Sequence, residues 1–230
     1  MKPTLKKALA ATALLITVSA AAQQDPKAKT ILDEVSKTAK AYTSISATFS
    51  ITIEKPNGTK DVQEGNVVLK GKKYKVVLNK KVKEKIYKEE YRSNTKVICT
   101  YSEKDKEVTV DNAPDPSKPN AKNAIVPSDI FTIHEKGFKY KFEKEVTEGG
   151  RAIQYINLYP EKPDGKSYHT VKVKIDKLKK QIIGATMFNT DGSKMIYVVK
   201  TFTPNLAVND TEFEYSLKNY PAGTEEVDLR

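Results

Sequence analysis

The most constraining feature of the chain is residues 25–53, DPKAKTILDEVSKTAKAYTSISATFSITI, where the hydrophobic period changes partway along. Ala28, Ile31, Leu32, Val35, Ala39 and Tyr42 recur at intervals of three and four, which sets them on one stripe of a helix. Asp25 is placed to cap the first turn, and Pro26 stands where a missing N–H costs nothing. From Ile45 the period becomes two. Ile45, Ala47, Phe49, Ile51 and Ile53 point one way, and Ser46, Thr48, Ser50, Thr52 and Glu54 the other, the pattern of a half-buried strand. The chain therefore passes from an amphipathic helix into a sheet whose apolar face the helix can cover.

The same alternation continues. After a turn at Lys55-Pro56-Asn57-Gly58, residues 64–69 and 74–78 read as a pair joined at Lys70-Gly71-Lys72. Val67 and Leu69 share one face, as do Tyr74, Val76 and Leu78. Further strands are expected over residues 85–92, 96–102, 107–111, 138–146, 152–159, 169–176, 181–189, 194–203 and 212–216. Their connections are short and turn-like, which predicts an antiparallel meander. The fold class is mainly β (α+β), a sheet of about eleven strands that is too long to stay flat and curls into a barrel or half-barrel. Residues 112–123 interrupt it with prolines and no large apolar side chain. In residues 124–137, Ser128 can cap and Gly137 can end a short helix carrying Ile130, Phe131 and Ile133. Beside a long polar loop, such a helix is either a lid or a core-filling element.

The first residues read as an address. Lys2, Lys6 and Lys7 precede an apolar run from Ala8 to Ser19 and an Ala20-Ala21-Ala22 cleavage pattern. That run is too short for a membrane span, which needs about 20 apolar residues. The expectation is a signal peptide over residues 1–22, export to the periplasm, and one domain over residues 23–230. Cys99 is the single cysteine, so no intramolecular disulfide can form. The net charge of +11 invites a nucleic-acid reading. Yet only Arg92, Arg151 and Arg230 among 40 basic residues are arginine, the type that reads phosphates and bases in bidentate fashion. Lysine runs such as Lys80-Lys81-Val82-Lys83-Glu84-Lys85 alternate with apolar residues. They fit the solvated face of strands, with attraction to anionic lipid or an acidic partner as the functional alternative.

Catalytic patterns are not found. His134 and His169 belong to no metal-ligand spacing, no G-x-S-x-G occurs, and no glycine-rich loop opens a helix. Glu89-Glu90 and Glu225-Glu226 would point to opposite faces of a strand. Cys99 reads as a small buried hydrophobe. The expectation is a non-enzyme without cofactor or metal, whose chief asset is apolar sheet surface.

In order along the chain stand Ala47-Thr48-Phe49, then Gly65 to Lys70 as G-x-x-x-L-K, then a strand opening with Tyr74. Ser93 to Tyr101, Pro127, Tyr155-Ile156-Asn157-Leu158-Tyr159-Pro160 and Asp191-Gly192 follow. Phe213-Glu214-Tyr215, Pro221-Ala222-Gly223 and Val227-Asp228 close the series. The ordered set resembles the periplasmic outer-membrane lipoprotein carriers (LolA-like) over nearly the whole chain beyond the leader. Two departures stand out: the family's strand-end Arg has no equivalent near Gly71, and its usual Trp falls at Cys99. The resemblance implies an unclosed β-barrel whose helices cover a hydrophobic cavity. It implies a monomeric carrier that accepts acylated lipoproteins from an inner-membrane ABC transporter and passes them to an outer-membrane acceptor or to the membrane itself. The lining it implies is Phe49, Ile51, Val67, Leu69, Tyr74, Val76, Leu78, Val97, Cys99 and Tyr101, with Ile130, Phe131 and Ile133 on the lid. The alternative function is a lipid- or lipoprotein-sensing module of the same fold that reports envelope stress through a protein contact.

Overall fold

The computed structural model describes residues 25–114, 131–132, 134–135 and 137–230. The expected signal peptide lies outside the described residues, as do most of the polar loop and the lid residues Ile130 and Ile133.

Helix α1 spans Pro26–Lys40. One carboxylate oxygen of Asp25 accepts from the N–H groups of Lys27 and Ala28 at 2.9 and 3.2 Å. The other accepts from the N–H of Phe142 at 2.9 Å. The cap thus satisfies free donors of the first turn and also pins the helix start to a strand far away in sequence.

Twelve strands form one sheet: β1 (Ile45–Glu54), β2 (Lys60–Lys70), β3 (Lys73–Val82), β4 (Lys85–Ser93), β5 (Val97–Ser102), β6 (Glu107–Asn112), β7 (Phe138–Glu148), β8 (Arg151–Pro160), β9 (Tyr168–Asp176), β10 (Gln181–Asn189), β11 (Lys194–Pro204) and β12 (Glu225–Asp228). Their order is β12-β6-β5-β4-β3-β2-β1-β11-β10-β9-β8-β7, so β1 meets β11 in the middle and the sheet ends in two unjoined edges. This is an unclosed half-barrel. Register shifts at Thr48/Phe49 in β1, at Phe142/Lys144 in β7 and at Ile182/Gly184 in β10 bend it.

One strand assignment is corrected. Residues 212–216 do not join the sheet; Asp210–Phe213 forms a short 3₁₀ turn capped by Asn209, and a second follows at Leu217–Asn219. Phe213 is buried there, and Tyr215 and Tyr220 pack against β5 and β6. The strand that does form near the C-terminus is β12, paired in parallel with β6. Its EEVD sequence has no apolar alternation to announce it.

Three apolar clusters pack on the sheet, two on one face and one on the other. At the β7–β10 end, Ala28, Leu32 and Val35 of α1 cover Phe138, Tyr140, Ile156, Leu158, Val171, Val173, Ile175 and Ile182. At the β5–β6 end, Tyr215 and Tyr220 cover Cys99, Tyr101, Val108 and Val110 on the opposite face, since Cys99 pairs with Arg92 and Arg92 with Lys75, which points away from Tyr74 and Val76. In the middle of the sheet, on the face that α1 covers, β1, β2, β3 and β11 carry the cluster that includes Ile45, Ala47, Phe49, Val67 and Leu69.

Candidate functional site

That middle third encloses a cavity of about 240 Å³. Its walls are Ile45, Ala47, Phe49 and Ile51 of β1, Val67 and Leu69 of β2, Val76 and Leu78 of β3, Ile182 of β10, and Tyr197, Val199 and Phe202 of β11. Phe131 enters it from the segment before β7. No charged side chain lines it. The Phe49 and Tyr197 rings lie 5.1 Å apart, within aromatic contact range. Burial pushes the Tyr197 phenol up to about 12, so it presents a neutral hydroxyl.

Gly65 shapes this wall. A Cβ there would come within 2.8 Å of both the Phe49 ring and a Leu78 methyl, and 2.6 Å of the Val77 carbonyl oxygen. Only glycine lets the ring lie across β2 at this position.

A second space of about 330 Å³ shares Ile45, Leu69 and Phe131 with the first. Its other walls are Ala39, Lys40, Tyr42, Ser44, Gly71, Lys72 and Thr132. The two spaces thus adjoin at Phe131, near the C-terminal end of α1. A larger hollow of about 440 Å³ lies elsewhere and is a different kind of surface. It is lined in part by Arg151, Lys172, Lys174 and Lys200, whose charges are met by Asp176, Glu143, Glu148 and Glu64 respectively.

The segment bearing Phe131 is tied to α1 by polar contacts. One oxygen of Glu135 accepts from the Lys40 ammonium and the Ser36 hydroxyl, each at 2.8 Å. These two donors hold the Glu135 carboxyl below its ordinary range. His134 Nε2 lies 3.5 Å from Asp33, and burial holds the imidazole below its ordinary value. These contacts hold residues 134–135 against α1.

The structure brings together Phe49, Ile51, Val67, Leu69, Val76, Leu78 and Phe131 around the cavity. Tyr74 packs against the same cluster from the side. Val97, Cys99 and Tyr101 stand apart, in the cluster covered by the C-terminal segment. There the Cys99 thiol lies 3.4 Å from the Tyr220 hydroxyl, and burial pushes it up. Buried Arg92 locks the cover in place: it donates to Glu90 at 2.6 and 3.0 Å and to the Glu214 carbonyl at 2.8 Å. Sequence reasoning missed Ile45, Ala47, Ile182, Tyr197, Val199 and Phe202 as lining. The alternation of Tyr197 and Val199 was visible, but the pairing of β11 with β1 was needed to bring them here.

No protein-family model matches the chain, and comparison with curated proteins finds no significant relative. Solved structures do match. An uncharacterized conserved protein from Thermus thermophilus aligns with a TM-score of 0.57 at 13% identity, over 88% of this chain and 99% of the other. LprF from Mycobacterium bovis aligns with a TM-score of 0.49 at 13% identity, over 81% and 96%. A LolA superfamily protein from Nitrosomonas europaea aligns with a TM-score of 0.42 at 9% identity, over 82% and 97%. The first shows a common fold across nearly the whole of both chains; the other two stand as likenesses. The half-barrel with its covering helix is the architecture that the resemblance to the lipoprotein carriers implies.

Proposed function

We propose that the protein is a periplasmic carrier that shelters the acyl chains of lipoproteins between the inner and outer membranes. The observation that supports this most is an uncharged cavity on the sheet face that α1, among the described residues, covers only at the β7–β10 end. Each methylene taken out of water is worth about 0.8 kcal/mol, so acyl chains need such a shelter to cross an aqueous space. The chemistry is binding and release, with no bond made or broken.

The cavity residues Phe49, Ile51, Val67, Leu69, Val76 and Leu78 would contact the chains, and Phe131 would be displaced by them. Small-ligand pockets usually measure about 300–1,000 Å³, so three acyl chains would require the chamber of about 240 Å³ to widen into the adjoining space of about 330 Å³. In this reading, residues 1–22 direct export and residues 23–230 form one domain. An inner-membrane ABC transporter loads the carrier, and an outer-membrane acceptor or the membrane unloads it.

The test is capture of a triacylated lipoprotein by the purified protein, set beside a Leu78→Asp variant. Leu78 is half-buried on the cavity wall. The variant is expected to stay folded and lose the cargo, because a carboxylate in the chamber would have to be desolvated. Equal capture by both proteins, or none by the wild type, would refute the reading.

A further inference from the structure

The hairpin of β3 and β4 runs out past the sheet that supports it. Pairing of β3 with β2 stops at Asn79, opposite Glu64, and pairing of β4 with β5 starts at Glu89, opposite Ser102. Beyond those points Lys80, Lys81 and Val82 pair only with Tyr87, Ile86 and Lys85. The turn between them, Lys83-Glu84, has Lys83 in the left-handed region at φ 55°, as tight two-residue hairpin turns require.

The composition of this ribbon is unusual for a free tip. Residues 80–88 hold five lysines and one glutamate. Among the described residues Lys80 is paired with Glu89 at 2.5 Å and Lys81 reaches Glu84 at 3.5 Å. Lys83, Lys85 and Lys88 form no ion pair among the described residues. Between the lysines stand two exposed aliphatic side chains, Ile86 at 67% and Val82 at 38% exposure. Neither has a core to join. A ribbon evolved only to stay in water gains nothing from an isoleucine at its tip, whereas a bilayer interface accepts apolar side chains flanked by cations.

We infer that the β3–β4 ribbon is a docking element for anionic lipid membrane surfaces that enters tip first, with Val82 and Ile86, which lie on opposite faces of the ribbon, reaching the headgroup region and Lys81, Lys83 and Lys85 meeting the lipid phosphates. Its position adds a directional argument. Lys80 and Val82 lie on the same face of β3 as Val76 and Leu78 of the cavity wall, two and four residues beyond Leu78. Docking at the tip would point the Leu78 end of that wall toward the membrane, with Ile86 on the other face of the ribbon. The docking itself stands independently of what the cavity carries.

The chain has no tryptophan, so Ile86→Trp supplies a single reporter at the tip. Its emission is expected to shift to the blue on adding vesicles of equal parts phosphatidylcholine and phosphatidylglycerol, and to stay unchanged with phosphatidylcholine alone. Co-sedimentation of the wild-type protein should show the same preference and weaken as salt is raised. The triple variant Lys81→Gln, Lys83→Gln, Lys85→Gln should bind roughly a hundredfold more weakly, at about fivefold per lysine. Its melting temperature should match the wild type, since all three side chains are exposed. Ile86→Ser should weaken vesicle binding without altering its salt dependence. Undiminished vesicle binding by the triple variant would overturn the inference. So would a tip tryptophan blind to anionic vesicles, or binding to polyglutamate in solution without binding to vesicles, which would mark the partner as an acidic protein.

Discussion

Removing the Phe131 ring separates a movable plug from a fixed piece of core. The ring sits half-buried in the cavity, and its segment is tied down by the contacts that Glu135 makes with Ser36 and Lys40. Full burial of such a side chain is worth about 1.5–3 kcal/mol, so a half-buried ring contributes roughly 1–2 kcal/mol to folding. At about 2–4 °C per kcal/mol for a chain of this length, Phe131→Ala should lower the melting temperature by only a few degrees. The same contacts must be broken when an acyl chain enters. The variant should therefore bind a fluorescent lipid about 5- to 30-fold more tightly, the equivalent of the energy no longer spent on displacement. Thermal melts and a fluorescence titration measure the two quantities on one sample. A loss of about 3–5 kcal/mol, as for a ring deleted from a fixed core, together with unchanged lipid affinity, would refute the plug.

Three other outcomes are expected. Gly65→Ala should cost about 1–3 kcal/mol by chemical denaturation and weaken lipid binding, because the new methyl group collides with the Phe49 ring and the Val77 carbonyl. Asp25→Ala should cost about 0.5–2 kcal/mol; the folded carboxyl is held below its ordinary range by the N–H of Phe142 above all, so this stabilisation is present above the unfolded pKa and fades as pH falls through the folded one. Urea melts of wild type and variant should accordingly converge in acid. Cys99 should resist a thiol reagent in the native protein and react once urea is added, since it is 1% exposed and burial disfavours the thiolate.

Much of the architecture was legible because the signals were local. The period change at Tyr42 to Ile45 marks the passage from α1 to β1, and Asp25 and Pro26 mark the helix start. Polar turns bounded eleven of the twelve strands within a few residues. The site was legible only in part. Parity in β1, β2 and β3 correctly put Phe49, Ile51, Val67, Leu69, Val76 and Leu78 on one face, and the structure gathers them round one chamber. Parity could not say which strand lies beside β1, because β11 is about 150 residues away in sequence and no local pattern encodes that pairing. Tyr197, Val199 and Phe202 were missed for that reason.

The misplacement of Val97, Cys99 and Tyr101 follows from register. Cys99 pairs with Arg92 and Arg92 with Lys75, so these three side chains lie on the face opposite Val76 and Leu78, and alternation within a strand does not say which of its faces joins that of its neighbour. Over β5 and β6 the covering is done by a segment with no strand pattern of its own. Tyr215 and Tyr220 press their rings onto the sheet, Arg92 and Glu90 hold Tyr220 and the Glu214 carbonyl, and β12 stitches the end of the chain to β6. Over β7–β10 the cover is α1. Both covers are secured by buried groups: Arg92 at one end, Leu32 and Val35 at the other. On the face that α1 covers, the middle strands receive Tyr42 and Phe131 from the described residues, and the Phe131 segment is held through polar contacts, with the Lys40 and Glu135 side chains 59% and 44% exposed. Exposed pairs of this kind are worth about 0–1 kcal/mol, far less than the apolar burial that fixes α1 over β7–β10 on the same face. Among the described residues the chamber thus lies where the cover on that face is held least firmly, which is where a ligand can enter without unfolding the rest.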